Sequence, residues 1–551
     1  MASRLMVIGW DSSDLDLMLP WIERGYMPNL KKLMDTGSWG KIRSVYPPVT
    51  ASAWSTIVTG KNAGKHGIYE FMQFKPRSYE AFPVNASNRI GKDVWEILSE
   101  HGKKVVVIGV PLTYPVRPVN GCMISGFMTP NEKVDYSYPK SLKDEMKSRV
   151  NGYLVNPSHV HGQDPAYDAD YVKSLYEVLD KHIEGTVYLA KNKDWDFLMA
   201  VFNETDWCQH RFWSAIDPHH QWYSTERAGA YADVIRNVHM KLDTALGDLI
   251  NIAGDSTDII LLSDHGGGPL YKVINTNLFL YKIGKLRLRR RPGTAFRQML
   301  AKIRFNPPFI FRVLRKLSNA PVSISTRNKN IQILRKVFLT KDDVDWSRTE
   351  AFAPFGDGII FINKIGRFPR GIVSETQYSR VREEIKNKLN MLKDGDINLV
   401  DEIFYRENLF EGPNLEKCPD ILFQAKRGYL PVGSFSHGAT NMITESYDVS
   451  GTHSMDGMIV LKQCDLASVE KRINNAKLAD IVPTILHLME IPIPLDLDGK
   501  ILSDSSQKAP VLLTGHNKKE IETDKIPVKK TELTKEEEAE IEEQLRSLGY
   551  I

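Results

Sequence analysis

Short runs of consecutive apolar residues alternate along the chain with longer stretches of helical spacing. Residues 5–10 (LMVIGW) form the first run and end on Asp11. A short run that is apolar throughout predicts a buried strand. MPNLKKLMDTGS follows with helical spacing and a Gly stop. In SVYPPVTASAWSTIVTGKNAGKHG the Pro pair breaks structure, and ASAWSTIVTG predicts a helix start. VWEILSEHGKKVVVIGVPLTYP reads as helix, turn and buried strand. YVKSLYEVLDKHIEGTVYLAKN is helical and is followed by the strand DFLMAVFN. Residues 227–253 repeat the helical pattern before the strand DIILLSD. After an interruption the pattern resumes with GIIFIN, a helix near 377–392 and a second sheet segment ending at His453. Then come the helix LADIVPTILHLMEIPIP and an acidic helix in ELTKEEEAEIEEQLRSLGY, packing through Ile541, Leu545 and Leu548. Strands alternating with helices predict an α/β fold with a mainly parallel central sheet and helices on both faces. No internal repeat is found.

Such a sheet binds ligands beyond the carboxyl ends of its strands. Asp11, Asp206 and Asp264 all stand there. Asp206 and His210 are spaced i, i+4, so on a helix they share one face and can hold one cation. Cys208 between them faces away and is read as packing. Asp264 and His265 are adjacent at a strand end, and Gly266, Gly267 and Gly268 leave room for close backbone approach. His453 lies in the polar loop SGTHSMDG. A mixed oxygen and imidazole set suits Zn²⁺ or Mn²⁺ better than Ca²⁺. Taken singly, an Asp at a strand end is commonly a helix cap and a lone His a satisfied core residue. HGGG lacks the Lys and Ser/Thr of a phosphate-binding P-loop. His159 and His161 have ligand-like spacing, and Lys65 and His66 are candidates to touch phosphate, though a turn explains that pair equally well.

The chain has 551 residues, 42% of them apolar, enough for one large domain with insertions or for two domains. Its four widely spaced cysteines (Cys122, Cys208, Cys418, Cys464) include no CxxC pair, which argues against a disulfide framework and a thiolate zinc site. No signal-peptide pattern precedes the first strand, and no stretch approaches the ~20 apolar residues of a membrane span. A cytoplasmic protein, peripheral to a membrane at most, is expected. The formal net charge of +4 hides an asymmetry: His265–Lys341 holds 18 Lys and Arg and no Asp or Glu. Within it KLRLRRRPG and FRQMLAKIRFNPPFIFRVLRKL suggest a basic face, a funnel for polyanions, or an interfacial element over 285–317. In the last case Phe296, Leu300, Ile303, Phe309, Phe311 and Leu314 would enter an anionic membrane surface. No specific nucleic-acid motif is present. The expected division is 1–281 for the first part of a core, 282–344 for a basic insertion, 345–510 for the second part, and 511–551 for an acidic tail helix.

The ordered set Asp11, Thr50, Asp206/His210, Asp264/His265 and His453 resembles the alkaline phosphatase superfamily, in particular its type I phosphodiesterase/nucleotide pyrophosphatase branch. PPVTASAWSTIVTGKNAGKHGI resembles that branch's nucleophile segment, LADIVPTILHLMEIPIPLDLDGK its closing helix and turn, and LRSLGY its usual C-terminus. The resemblance implies a metallohydrolase core with an alkaline-phosphatase-like fold. It implies that Thr50 is the nucleophile, with Asp11, Asp264, His265 and Thr50 on one divalent metal and Asp206, His210 and His453 on the other, both metals Zn or Mn. The expected activity is hydrolysis of a phosphoric ester or pyrophosphate bond in a nucleotide, nucleotide-sugar or lipid-linked substrate through a phospho-threonine. Trp54 and Lys65 are the candidates for substrate contact. The branch's Asn three residues after the nucleophile is Ala53 here, and no Arg sits beside Thr50. Residues 50–54 (TASAW) also lack the Pro and Arg spacing of sulfatases. A phosphomonoesterase or a phosphoryl transferase or mutase of the same superfamily would use the same residues. A non-catalytic membrane- or polyanion-binding adaptor is the alternative of another class, and the intact ligand set argues against it.

Overall fold

The computed structural model describes residues 4–157, 165–302, 339–433, 441–446, 449–464, 471–502 and 532–550. His159 and His161 lie outside these, as do Ile303, Phe309, Phe311 and Leu314 of the basic segment. The strands that matter for the site are β1 (Arg4–Trp10), β2 (Ser38–Arg43), β3 (Val105–Val110), β4 (Gly121–Ser125), β5 (Phe197–Phe202), β6 (Thr257–Leu262), β7 (Gly266–Asn275), β8 (Gly451–Ser454) and β9 (Asp456–Lys462). All but β7 and β8 belong to one 10-stranded sheet, in the order β2-β9-β6-β1-β5-β3-β4 with short strands at its edges. The five strands from β6 to β4 run parallel, and β9 and then β2 add antiparallel to one side. This is the mainly parallel α/β fold expected.

The continuous apolar runs have a simple cause. Alternate residues of each strand enter separate cores on opposite faces of the sheet. Met6, Ile8 and Trp10 of β1, Leu198, Ala200 and Phe202 of β5, and Ile259 and Leu261 of β6 enter one. Leu5, Val7, Phe197, Met199, Val201, Ile260 and Leu262 enter the other. Helices cover both faces, so neither half of the strand period is left to water. The first core is covered by α2 (Asp168–Asn192), α4 (Val234–Ala253) and α6 (Lys535–Leu548), and also receives Trp207 and Phe212 of α3 (Glu204–Ile216). The second is covered by α1 (Thr50–Thr59) and α5 (Ile481–Leu488). Ile541, Leu545 and Leu548 of α6 are buried, as the sequence pattern predicts.

Residues 351–425 build a separate sheet of four antiparallel strands, with a covering helix at Glu375–Leu389 and an apolar cluster of its own. The main sheet is rejoined only at β9. Of the basic segment, the helix Pro292–Lys302 is described; Arg297 pairs with Asp343 at 2.7 Å while Phe296 and Met299 are exposed.

One close approach links sheet and site. A Cβ on Gly9 in β1 would run into the ring of Trp54 on α1. Substituting Gly9→Ala must displace that buried indole or the strand. The expected loss is about 1–3 kcal/mol in denaturant-induced unfolding, with no matching loss for alanine at the open position Gly229.

Candidate active site

Because β6, β1 and β5 are neighbours, the chain segments leaving their carboxyl ends lie side by side. Asp11 follows β1 directly, and its N–H donates to Phe202 O at the end of β5 (3.0 Å). Asp264 stands two residues past β6. Asp206 occupies the first turn of α3, where an N-terminal dipole favours a carboxylate. His210 lies one turn further along α3. β7 leaves the end of β6 and pairs antiparallel with β8, placing Gly267 opposite His453. A side chain at Gly267 would strike the Gln209 amide, whose Nε2 donates to Ser12 O at 2.7 Å. The absence of a side chain at Gly267 therefore lets α3 and the β1 loop close on the strand.

Two groups of ligand atoms result, each with its members within 4.8 Å of one another: Asp11, Asp264 and His265, and Asp206, His210 and His453. In the first, His265 Nε2 is 3.4 Å from Asp11 Oδ1 and 3.3 Å from Asp264 Oδ2. Both of those carboxylate oxygens are buried without a hydrogen-bond partner. In the second, His210 Nε2 is 3.3 Å from Asp206 Oδ2 and 3.0 Å from His453 Nε2. Thr50, the first residue of α1, brings Oγ1 to 3.4 Å from His265 Nε2.

The remaining bonds orient these groups. His210 Nδ1 faces Gly451 O at 3.0 Å and His265 Nδ1 faces Gly266 O at 3.1 Å. A carbonyl only accepts, so each Nδ1 carries the proton and each Nε2 is turned to the site. Asp11 Oδ2 accepts from Trp54 Nε1 (3.0 Å) and Asn203 Nδ2 (2.5 Å). Asp264 Oδ1 accepts from Ser12 N at 3.4 Å.

The electrostatics are those of crowded, buried acids. Burial, then Asp264 and Asp206, push the Asp11 carboxyl well above its ordinary range. Burial raises Asp264 too. Burial also acts upward on Asp206, but the imidazoles of His210, His453 and His265 outweigh it and hold it below the usual range. Burial and the neighbouring His265 push His453 down. Among the described residues no Lys or Arg pairs with any of the three carboxylates. A divalent cation in each group would supply the missing positive charge and partners for the orphaned oxygens, and the oxygen–imidazole donor set fits such ions.

The two residues expected to contact substrate, Trp54 and Lys65, both have protein partners. Trp54 is fully buried and holds Asp11 from behind. The Lys65 ammonium is taken by Asp498 and by Glu411 (3.2 Å), and His66 is buried against Thr56 and the Ile68 N–H. Cys208 packs in the core, as expected.

Three residues beside the site went unread in the sequence. Tyr550 donates its hydroxyl to Asp206 Oδ2. Asp357 stands in a Gly-flanked turn at φ +57°, and burial raises its carboxyl to about 6 against the pull of His210 and His265. Glu70 is buried with Oε2 unpartnered, raised by burial and by Asp357. The GDG turn was the one local signal for Asp357.

Comparison with known structures places the fold. Phosphonoacetate hydrolase from Sinorhizobium meliloti 1021 in complex with phosphonoacetate aligns over 89% of this chain and 95% of its own, with 13% identity and TM-score 0.53. The same enzyme in complex with phosphonoformate gives 14% identity and TM-score 0.50 over the same shares. Human ectonucleotide pyrophosphatase / phosphodiesterase 5 aligns over 89% and 95% with 13% identity and TM-score 0.47. A comparison with curated proteins yields no match. The family model for type I phosphodiesterase / nucleotide pyrophosphatase matches residues 5–456, a span that holds all seven of Asp11, Thr50, Asp206, His210, Asp264, His265 and His453. The chain therefore belongs to the type I phosphodiesterase/nucleotide pyrophosphatase family, phosphoric ester hydrolases of the alkaline phosphatase superfamily.

Proposed function

We propose that the chain hydrolyses phosphodiester or pyrophosphate bonds with Thr50 as nucleophile and one divalent cation, Zn²⁺ or Mn²⁺, in each of the two ligand groups. The observation that carries this is the convergence of both groups on one buried spot with the Thr50 hydroxyl beside them. Bound there, two such cations would neutralise phosphate charge and make a hydroxyl acidic enough to attack at neutral pH.

The chain's own groups account for the rest. Thr50 opens a ten-residue helix whose first-turn N–H groups lack intrahelical acceptors, which favours a phosphate oxygen at that end. This supplies a donor set where Asn is replaced by Ala53. In the first step the Thr50 Oγ–phosphorus bond forms and the bond to the leaving oxygen breaks. In the second, water oxygen bonds phosphorus, the Oγ–phosphorus bond breaks and Thr50 is regenerated. Asp11 is held by Trp54 and Asn203, so its free oxygen keeps its direction through both steps. The substrate is taken to be a nucleotide, nucleotide-sugar or lipid-linked phosphate ester, as the family's chemistry suggests.

With Zn²⁺ or Mn²⁺ present, bis-p-nitrophenyl phosphate should be hydrolysed faster than p-nitrophenyl phosphate. Thr50→Ala should lower the diester rate by at least about 10³-fold, within the loss of up to about 10⁶-fold seen when a hydrolase loses its nucleophile. Faster monoester cleavage would favour a phosphomonoesterase. Release of a phosphorylated alcohol when an acceptor alcohol is added would favour a transferase.

Cation binding should also appear in stability. Each occupied group should add about 2.7 kcal/mol at a hundredfold excess over its Kd, read as a rise in thermal midpoint. Asp264→Asn should abolish one of the two binding steps and leave the other. A wild-type midpoint indifferent to Zn²⁺ and Mn²⁺ would refute the two-cation reading.

A further inference from the structure

Helix α6 lies far from the site in sequence, yet it delivers a side chain into it. The helix is firmly seated. Thr534 and Glu537 form a reciprocal cap at its start. Ile541, Leu545 and Leu548 enter the core of the sheet face that carries α2 and α4. Gln544 Nε2 donates to Thr129 O at 2.9 Å and to Pro130 O at 2.5 Å. The seating leaves the end of α6 pointing at the strand ends.

The last turn then re-aims the chain. Gly549 adopts φ +92°, a left-handed conformation in which any side chain is strained. Its N–H donates to Arg546 O at 3.3 Å, and the Tyr550 N–H donates back to Leu545 O at 2.8 Å. This paired closure of a helix end on glycine reverses the chain within two residues. It carries Tyr550 off the helix axis and between Phe71 (ring centroids 4.9 Å apart) and Phe127 (5.4 Å), against His210 (5.1 Å) and His453 (5.9 Å). Its hydroxyl meets Asp206 Oδ2. Since a carboxylate oxygen only accepts, the phenol is the donor.

We propose that Tyr550 is a positioning residue for the Asp206–His210–His453 group: its phenol takes one oxygen of Asp206 and so fixes how the carboxylate faces the two imidazoles. The inference rests on the reading of that group as a cation site. A donor behind a metal-binding carboxylate sets ligand direction, and loss of such a partner weakens cation binding by about 10–100-fold. The Leu545-x-x-x-Gly549-Tyr550 pattern would then be a device of the site as well as a helix stop. The ring alone suffices to fill the space between Phe71 and Phe127, so a purely structural role predicts no effect of the hydroxyl on cation affinity.

The test uses the full-length chain with Tyr550→Phe, which keeps the ring and removes the donor, and Gly549→Ala, which keeps the phenol and disturbs its aim. Zn²⁺ affinity is measured by competition with a chromophoric chelator, and thermal unfolding is followed in the cation-free protein. Two binding steps are expected for wild type. Tyr550→Phe should weaken one of them about 10–100-fold, leave the other unchanged and move the cation-free midpoint by no more than about 2 °C. Gly549→Ala should weaken the same step. Two unchanged steps in Tyr550→Phe would overturn the proposal, as would equal weakening of both with a large fall in the midpoint, which marks Tyr550 as an anchor for α6. A wild type that takes up fewer than two cations would instead sink the underlying reading of the ligand groups, and this inference with it.

Discussion

Three carboxylates buried at the carboxyl ends of central strands, with no Lys or Arg paired to them among the described residues, are the constraint around which the molecule is arranged. Buried charge is tolerated only when compensated. The parallel sheet creates the problem, because β6, β1 and β5 are neighbours and all three end in acids or lead directly to one. Strands about 4.8 Å apart leave no room to separate such groups. The molecule answers with imidazoles, His265 shared by Asp11 and Asp264 and His210 and His453 both facing Asp206, and with neutral donors: the Trp54 indole and Asn203 amide on Asp11, the Ser12 N–H on Asp264, the Tyr550 phenol on Asp206. These do not finish the compensation. Asp11 Oδ1 and Asp264 Oδ2 remain without partners. A site that holds unmet charge is poorly suited to stability and well suited to cations.

The same economy explains why polar groups lie inside. Gly451 O and Gly266 O, held by the β7–β8 pairing, each occupy the Nδ1 of an imidazole and do so without adding charge. Thr50 reaches the site by a different route. It starts α1 by the strand ends, on the face opposite α2 and α4, and Trp54 one turn later supports Asp11. Nucleophile candidate and ligand support are thus properties of a single helix turn. The fit of that turn against β1 depends on Gly9 having no side chain.

Much of this was legible from residue order. Strands buried on both faces announce themselves as unbroken apolar runs, and Asp11, Asp206 and Asp264 lie just past the ends of three of them, so the α/β sheet could be read without coordinates, whereas the sorting of the ligands into two groups is what the family resemblance implies. What could not be read depends on contacts between distant segments. Nothing local distinguishes Trp54 facing a substrate from Trp54 lying under Asp11; the choice is made by where α1 packs. For Lys65 the sequence leaves a phosphate contact and a turn equally open, and its ion pair with Asp498, more than 400 residues away, cannot be read locally. The strands at 351–425 have the same apolar character as those of the core, and only pairing shows that they form a sheet of their own. Tyr550 reads only as part of a family tail because the carboxylate it meets lies across the fold.

That last contact bears on how site and fold are coupled. Asp206 Oδ2 joins a residue in the first turn of α3 to one 344 positions later, at the end of the last described helix. The geometry of one ligand group therefore depends on α6 being docked, to which three apolar side chains and the Gln544 amide contribute away from the site. Linkage makes the dependence reciprocal: whatever binds between Asp206, His210 and His453 stabilises the seated form of α6, and unseating α6 must weaken what binds there by the same free energy. A carboxylate that would repel its neighbours if it swung freely is instead held by a tyrosine whose position is set by hydrophobic packing. The apolar core thereby carries part of the cost of gathering like charges at the strand ends.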